Sequence, residues 1–228
     1  PDSSGNYFTN SFEGGTDDWS ARGSASVNIN SRNYYDGSNS LYVSGREAEW
    51  NGASITLDSS VFSVGETYSF SAAVLQTSGK DVTIQMSLQQ SNDDGATYTH
   101  ITDCTAKSGE WTKLENTSYT IPSGASNLRL YVESPDSLTD FYIDEVKGSK
   151  EGVKSSVSNG SGTVEAGTSN SGNTGNTGNT GTQTPASSDS YIGKFGSLFK
   201  VGTSVSPNEL GSGANFIKKH FNSITPEN

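Results

Sequence analysis

Residues Asp81–Gln90 read DVTIQMSLQQ, and residues Asn127–Glu133 read NLRLYVE. Apolar and polar side chains alternate in both stretches, and a period of two is typical of a β-strand with one buried face. In the first stretch Val82, Ile84, Met86 and Leu88 share one face, and Thr83, Gln85, Ser87 and Gln89 share the other. In the second stretch Arg129, Tyr131 and Glu133 share a face. Both stretches therefore predict strands whose second face is open to solvent or to a ligand.

The same alternation recurs in short segments through residues 1–148, separated by turns such as SNDDGA and KSGE. Many short strands joined by Gly, Asn and Asp turns are typical of two packed sheets. We therefore predict an all-β fold for this part, a β-sandwich of the jelly-roll type. The predicted strands are Tyr7–Phe12, Ser26–Ile29, Ser40–Val43, Ala53–Leu57, Thr67–Leu75, Val82–Gln89, Thr97–Thr102, Thr112–Leu114, Asn127–Glu133 and Phe141–Val146.

Composition divides the chain into three parts. Residues 1–148 hold most of the aromatic and β-branched side chains, whereas residues 149–190 are mainly Gly, Ser, Asn and Thr and repeat the triplet GNT. The middle part cannot bury enough apolar surface to offset its ordering entropy, which predicts a disordered, flexible linker. In residues 191–228 an apolar helical pattern from Phe216 to Ile224 lies between two strand-like stretches. This order predicts an incomplete βα unit of a (β/α)8 barrel.

Charge and cysteine content exclude several classes of protein. The formal net charge is −11, and an acidic chain repels phosphate, so we expect no nucleic-acid partner. No run of about 18 apolar residues occurs, so we expect no membrane partner. The only cysteine, Cys104, has no disulfide partner and is predicted to be partly buried. The chain begins at Pro1 without a signal peptide, which we interpret as the mature form of a secreted, extracellular protein.

The open strand face combines residue types that bind hydroxyl-rich ligands. Aromatic rings pack on the C–H face of a sugar ring, and Arg, Glu and Gln meet its paired hydroxyls. Gln85, Arg129, Tyr131 and Glu133 provide such groups, and Trp50 lies among the charges of REAEWNGAS, where a core position is a poor explanation. Outward tyrosines are also common on sandwich surfaces, so this pattern alone leaves binding and ordinary surface as alternatives.

Five motifs occur in order between residues 6 and 148: FEGGTDDWSARG, YYDGSNSLYVSGR, EWNGA, LRLYVE and DFYIDEV. With these motifs the segment resembles the family 22 carbohydrate-binding modules, the xylan-binding jelly rolls of bacterial xylanases. The resemblance implies that Arg22 and Glu133 contact the ligand, and that Trp50 and Tyr98 stack on sugar rings. Xylan-binding members can carry a tyrosine where this chain has Arg129, so the resemblance leaves the strength of sugar binding open.

The same resemblance implies a structural calcium ion. The matching residues are Glu13 and Asp144, with loop carbonyls from around Ser38 and Asn39. Two carboxylates joined by carbonyl oxygens suit a hard cation. The alternative is that both acids are solvated turn residues.

The stretches FKVGTSVSPNEL and HFNSITPEN, in residues 199–228, are similar to the start of the family 10 glycoside hydrolases, which are endo-1,4-β-xylanases. A retaining glycosidase needs two carboxyl groups that flank the scissile bond. In the family that this part resembles, both lie on later strands of the barrel. We therefore expect no catalytic residue in this chain.

These observations favour a non-catalytic module that targets a secreted bacterial endo-1,4-β-xylanase to xylan. We expect it to be a monomer and to bind internal stretches of xylan and xylo-oligosaccharides, with mixed-linkage β-glucan as a further candidate ligand. One alternative is a structural or thermostabilising module with little or no sugar binding. Another is an enzyme that uses Glu133 and Glu49, although the sequence shows no pairing of these acids. Trp19 and Trp111 are predicted core residues, and His100 is predicted to be an ordinary polar residue.

Overall fold

The computed structural model describes residues 1–165 and the short strands at 202–205 and 223–226. The chain divides into two units, Pro1–Thr168 and Ser169–Asn228. Among the described residues there is no helix of the length and apolar character needed to cross a membrane.

Antiparallel strands form the first unit. In chain order they are β1 (Asn6–Asn10), β2 (Ser20–Arg22), β3 (Ser26–Asn30), β4 (Ser40–Ser44), β5 (Gly52–Thr56), β6 (Thr67–Gln76), β7 (Val82–Asn92), β8 (Gly95–Ala106), β9 (Thr112–Thr120), β10 (Asn127–Glu133) and β11 (Phe141–Lys150). The first sheet has the order β3-β4-β11-β6-β9, with β1 also paired to β11. The second sheet has the order β2-β5-β10-β7-β8.

The two antiparallel sheets confirm the predicted β-sandwich. From β8 to β11, each strand lies in the opposite sheet from the one before it, as a jelly-roll connectivity requires. β2, which has only three residues, was not predicted from the sequence. β9 was predicted to end at Leu114, whereas the strand continues to Thr120 along β6.

The core between the sheets follows the alternation that the sequence predicts. Met86 and Leu130, on neighbouring strands, are fully buried, and the other inward side chains of these two strands are less than 5% exposed. Trp19 and Trp111 are buried, as predicted. Complete burial of a large apolar side chain stabilises a fold by about 1.5–3 kcal/mol relative to its exposure. The inward faces thus stabilise the sandwich, and the outward faces are free to vary in chemistry.

Residues 151–165 lie against the first sheet and do not form the start of a free linker. Val157 is buried next to Trp111. Thr163 exchanges backbone hydrogen bonds with Tyr34 and accepts one from the Trp111 indole N–H at 3.0 Å. The predicted linker boundary at residue 149 is therefore too early, because β11 runs to Lys150 and the segment after it, which we call the strap (residues 151–165), packs on the sandwich. The rest of the predicted linker lies outside the described residues.

Two strands are described in the second unit. β12 (Gly202–Val205) and β13 (Ser223–Pro226) pair in parallel. The segment predicted to connect them as a helix lies outside the described residues. Ile224, which the sequence analysis placed in the helical pattern, lies in β13, and the remainder of that predicted helix lies outside the described residues.

Candidate functional site

The outward face of the second sheet carries three rows of side chains centred on β10. Arg129, Tyr131 and Glu133 occupy these rows in order along the strand. Residues that face each other across antiparallel strands have Cβ atoms about 4.5–5.5 Å apart, so each row brings its members into reach of one another. The neighbours of the three residues on β7 are, in the same order, Gln89, Ser87 and Gln85. The predicted common face of the three β10 residues is confirmed.

A cleft of about 530 Å³ lies on this face, and its lining residues are Arg22, Trp50, Gln89, Tyr98, Tyr131 and Glu133. Trp50 and Tyr98 are each 55% exposed and form its two aromatic walls. Tyr131 is buried below them, with its ring edge-on to Tyr98 at 6.3 Å between centroids. Exposed aromatic rings around a concave polar floor are suited to bind a ligand that has both apolar and polar faces.

Arg22, at the end of β2, lies in the middle of the aromatic side chains. Its guanidinium carbon is 4.0 Å from the ring centre of Tyr131 and 5.4 Å from that of Trp50. It also donates a hydrogen bond to the backbone carbonyl of Trp50 and lies 3.0 Å from Glu133 Oε2. These contacts hold the planar guanidinium of Arg22, with its N–H donors, in place on the cleft floor. Arg22 therefore loses little conformational entropy when a ligand binds.

Glu133 is the carboxylate of the cleft floor. Its Oε1 accepts a hydrogen bond of 2.7 Å from Gln85 Nε2, and its Oε2 faces Arg22. Burial raises the pKa of Glu133 above its ordinary value. Each carboxylate oxygen can accept more than one hydrogen bond, so Glu133 can still accept a ligand hydroxyl. Glu133 is the only carboxylate among the described residues that line the cleft.

Arg129 lies beside the cleft, and two serines hold it in place. Its Nε donates to Ser54 Oγ at 3.0 Å, and its Nη2 donates to Ser20 Oγ at 2.9 Å. The guanidinium therefore leans over β5 and β2, and Arg129 does not line the cleft itself. Gln85 likewise stays outside the cleft lining and acts by orienting Glu133.

Arg46 is a positioning residue that the sequence analysis missed. It was counted among the charges around Trp50, yet it is only 5% exposed. Its guanidinium donates to the backbone carbonyls of Asn51, Ser137, Thr139, Glu49 and Ser134 at distances of 2.7–2.9 Å. Arg46 thus ties the loop that carries Trp50 to the loop after β10. An arginine close to Trp50 in sequence was the available signal, but sequence alone does not distinguish a surface charge from such a buried clamp.

Close packing against Gly23 and Asn51 also determines the position of Trp50. Asn51 is fully buried, and its Oδ1 accepts hydrogen bonds from the backbone of Glu47 and Ala48. Gly23 has φ of 71°, and a Cβ at that position would lie 2.7 Å from Trp50 Cζ3. Only glycine combines this backbone conformation with so close an approach.

Gln89 lines the cleft, although it was not assigned to the binding site from the sequence. It lies on β7 two rows from Gln85 and faces Tyr98 across the strand pair. The alternation of DVTIQMSLQQ already placed it on the outward face, so the signal was present. What the sequence could not supply was the register that brings Gln89, and not Gln85, to the wall formed by Tyr98.

Glu13 and Asp144, the predicted calcium ligands, contact the same loop. Glu13 Oε1 accepts hydrogen bonds from the backbone N–H groups of Ser38 and Asn39, at 2.9 and 2.8 Å. Ser38 and Asn39 therefore approach Glu13 through their amides, whereas the sequence analysis assigned carbonyls of this region as ligands. The described residues contain no group of three or more acidic, His or Cys side chains suited to a metal ion.

Asp144 approaches the loop from the other side. It is fully buried, and its Oδ2 accepts hydrogen bonds from the N–H groups of Tyr35 and Asp36. A β-bulge at this point of β11, with Glu145 at φ of 49°, lets the Glu145 N–H donate to Asp144 Oδ1. Burial raises the pKa of Asp144 to about 7, because a buried carboxylate without a cationic partner is costly. Glu13 and Asp144 thus accept hydrogen bonds from amides of the same loop, and carboxylate oxygens are the kind of ligand that a hard cation prefers.

Cys104 and His100 both lie on β8, and neither lines the cleft. Cys104 is partly buried, and burial raises the pKa of its thiol to about 12, so it is a poor nucleophile. His100 lies at the exposed edge strand β8 and pairs with Asp103 at 2.9 Å.

Comparison with known proteins identifies the family of this sandwich. Residues 4–138 match the family described as "Carbohydrate binding domain". The chain belongs to this family. The solved C-terminal family 22 carbohydrate binding module of Clostridium thermocellum Xyn10B is 38% identical to the module, with a TM-score of 0.65 over 68% of this chain and 99% of that one. A structure described as "Xylan-Binding Domain from CBM 22" is 39% identical, with a TM-score of 0.64 and the same coverage.

A curated relative, the "Xylanase/beta-glucanase" of Ruminococcus flavefaciens, is 46% identical to the module's chain over 166 residues. This alignment covers 72% of the chain but 20% of the relative, so the chain spans a fifth of that protein's length. Together with the two structures, this relative supports the resemblance to family 22 modules of xylanases that the motifs indicated.

Proposed function

We propose that residues 1–165 form a non-catalytic module that binds internal stretches of xylan and brings an endo-1,4-β-xylanase to this polymer. The observation that carries the proposal is the pair of exposed aromatic walls, Trp50 and Tyr98, on either side of the fixed polar pair Arg22 and Glu133. An open cleft of this kind admits a chain that continues past both ends, whereas a closed pocket admits only chain ends.

The two parts of the cleft contribute different energies. Stacking of Trp50 and Tyr98 on the C–H faces of xylose rings buries apolar area, which contributes roughly 25 cal/mol per Å². Hydrogen bonds from sugar hydroxyls to Arg22 and Glu133 replace bonds to water, so each adds only about 0.5–1.5 kcal/mol. We therefore expect stacking to supply most of the affinity and the polar pair to supply orientation.

Xylan is the preferred ligand class in this proposal, and mixed-linkage β-glucan is a second ligand to be tested. The solved relatives are described as a family 22 module and a xylan-binding domain, and the curated relative is named for both xylanase and β-glucanase. Xylose lacks the exocyclic CH₂OH group of glucose, so a chain of xylose units places less bulk against Trp50.

A structural module without sugar binding is the competing function. It is favoured by Arg129, a cation held by Ser54 and Ser20 where xylan-binding members can carry a tyrosine. The geometry of the remaining cleft argues against it, because a module that had lost its ligand would have no reason to keep two large aromatic rings half exposed to water.

Affinity electrophoresis in native gels that contain soluble xylan tests these alternatives, with β-glucan gels and polymer-free gels alongside. We expect xylan to retard the module and the substitution Trp50→Ala to abolish the retardation. Ile29→Ala is the matched control, since Ile29 is also an exposed apolar residue but lies on β3 of the other sheet. Equal migration of the unsubstituted module in xylan gels and polymer-free gels would contradict xylan binding and favour the structural role.

We also propose that calcium stabilises the module through Glu13, Asp144 and carbonyl oxygens of the loop 35–39. Support comes from the contacts of both carboxylates with this loop and from the absence of a cationic partner for buried Asp144 in the described residues. Thermal unfolding tests the proposal: EDTA should lower the midpoint and added Ca²⁺ should restore it, whereas Mg²⁺ should restore it less. An unchanged midpoint in EDTA would show that the amide contacts alone stabilise these acids.

The remaining expectations concern the longer protein. We propose that residues 191–228 begin the barrel of a family 10 endo-xylanase, a proposal supported by the parallel pairing of β12 with β13 and by the xylanase name of the curated relative. We also propose that the longer protein is secreted by a bacterium and that the module is a monomer. Sedimentation of residues 1–165 as a single species of constant mass over a range of concentrations is the expected result.

A further inference from the structure

Arg129 is a cation on the ligand-binding face that forms no ion pair with any residue in the part of the chain that the structure describes. We propose that Arg129 binds the carboxylate of a uronic acid substituent on the xylan backbone, so that the module prefers acidic xylan over unsubstituted xylan. This inference rests on the proposed function, because it assigns a substituent to the polymer that the cleft binds.

The register places Arg129 where a side branch of a bound chain would lie. It shares a row with Gln89, which lines the cleft, and Gln89 in turn faces Tyr98, one of the aromatic walls. Tyr131, whose ring lies on the cleft floor, is two residues further along the same strand. Arg129 is therefore next to the bound backbone without being part of the surface that contacts it, which is the geometry that a branch requires.

The donors of Arg129 are only partly used. A guanidinium has five N–H groups, of which Nε–H and one Nη2–H are bonded to Ser54 and Ser20. The second terminal nitrogen, Nη1, forms no hydrogen bond with the described residues, and it is not among the buried side-chain atoms that lack a partner. Nη1 is consequently open to solvent, and the two serines hold the plane of the group so that its free edge is fixed.

Charge distinguishes Arg129 from Arg22. The charge of Arg22 is balanced by Glu133 at 3.0 Å, so that residue can bind a neutral sugar without an uncompensated cation. Within residues 1–165 the guanidinium of Arg129 donates hydrogen bonds to neutral hydroxyls alone, and no carboxylate there balances its charge. A planar guanidinium binds a carboxylate through two parallel hydrogen bonds, an arrangement stronger than its bonds to neutral hydroxyls.

The net charge of −11 does not cancel the preference for acidic xylan. Physiological salt screens exposed charges beyond a distance of about 8 Å, whereas a carboxylate on Arg129 is in direct contact. The attraction at Arg129 therefore outweighs the repulsion from distant acidic groups. Lower salt strengthens both the attraction and the repulsion.

The test compares three ligands by isothermal titration calorimetry: a glucuronoxylan, the same polymer after reduction of its uronic carboxyls to alcohols, and neutral xylohexaose. We expect the unsubstituted module to bind the acidic polymer about three- to fivefold more tightly than the reduced polymer at low salt, the range expected of an accessible ion pair. This ratio should fall towards one at high salt and in Arg129→Gln, while xylohexaose affinity stays the same. Arg32→Gln is the matched control, because Arg32 is an exposed arginine outside the second sheet.

The outcomes distinguish a failure of the Arg129 inference from a failure of the proposed function. A ratio of one for the unsubstituted module, with normal binding of xylohexaose, would overturn the inference and leave the proposed function intact. A preference that survives in Arg129→Gln would assign the carboxylate to another residue and also overturn it. Failure to bind any of the three ligands would refute the proposed function itself. If Arg129→Gln unfolds, the salt dependence measured on the unsubstituted module still decides whether the carboxylate is recognised.

Discussion

Arg22 and Glu133 are 111 positions apart in the sequence, yet Arg22 Nη1 lies 3.0 Å from Glu133 Oε2 on the floor of the cleft. The contact joins the edge strand β2 to the central strand β10 across β5. Both side chains are largely shielded from solvent, so the pair is screened less than a surface ion pair. The arrangement of the binding face therefore depends on the correct pairing of three strands, and no local motif contains it.

The substitution Arg22→Lys should weaken xylan binding about tenfold, equivalent to about 1.4 kcal/mol. A lysine keeps the charge near Glu133 but cannot stack on the Tyr131 ring or present the planar fork of donors. Calorimetric titration with xylohexaose measures the loss. Arg32→Lys, a substitution at an exposed arginine away from the cleft, should leave the affinity unchanged. Equal affinities for both variants would show that only the charge of Arg22 matters.

Xylan affinity should fall in acid with a midpoint above the ordinary pKa of a glutamate, because burial raises the pKa of Glu133. Protonation removes an acceptor and breaks the ion pair with Arg22. The raised pKa also means that the native state holds this proton more tightly than the unfolded chain does. The contribution of Glu133 to the free energy of unfolding therefore decreases as pH rises from its unfolded pKa through its folded pKa.

Titration of xylohexaose at a series of pH values checks this prediction. Glu133→Gln should bind more weakly at neutral pH and should lose the acid transition, since the amide does not titrate. Persistence of the same acid transition in Glu133→Gln would assign it to another group.

Most of the sandwich and part of the cleft could be predicted from the sequence, because both depend on alternation along single strands. Tyr131 and Glu133 were placed correctly on one face for that reason. The short strand β2 could not be predicted, since three residues carry no period. Gln89, rather than Gln85, lines the cleft because strand register, which a single sequence does not encode locally, decides which side chains meet.

The substitution Arg46→Met should destabilise the module by about 3–5 kcal/mol and also weaken xylan binding. Methionine fills a similar volume, but it leaves the carbonyls of Glu49, Ser134 and Thr139 without their donor in a buried site. The loop that carries Trp50 would then lose its attachment to the loop after β10. Thermal unfolding measures the first effect, and the fluorescence of Trp50 together with titration of xylohexaose measures the second.

Arg32→Met serves as the control, because Arg32 is exposed and its pair with Glu165 lies on the surface. It should change the unfolding free energy by less than about 1 kcal/mol. If Arg46→Met were destabilised but bound xylohexaose normally, Arg46 would stabilise the fold without positioning Trp50.

Removal of the strap tests the corrected boundary of the module. The strap could not be recognised from its composition, because glycine and serine are common in it. Few of its apolar side chains contact the sheet, and many of its contacts come from backbone groups. A protein that ends at Lys150 should be less stable than one that ends at Glu165 by about 2–3 kcal/mol, the burial energy of one large apolar side chain. For a domain of this size the unfolding midpoint should fall by roughly 5–10 °C.

The reason is that the strap covers Trp111 with Val157 and accepts the hydrogen bond of the indole N–H through Thr163. The shorter protein should therefore show a red-shifted tryptophan emission as Trp111 meets water. Its affinity for xylan should stay the same, because Trp111 lies immediately before β9 of the first sheet and the cleft lies on the second. Val157→Ala in the longer protein should reproduce part of the loss in stability without the change in emission. Equal unfolding midpoints for the two lengths would show that the strap adds no stability and would return the end of the module to Lys150.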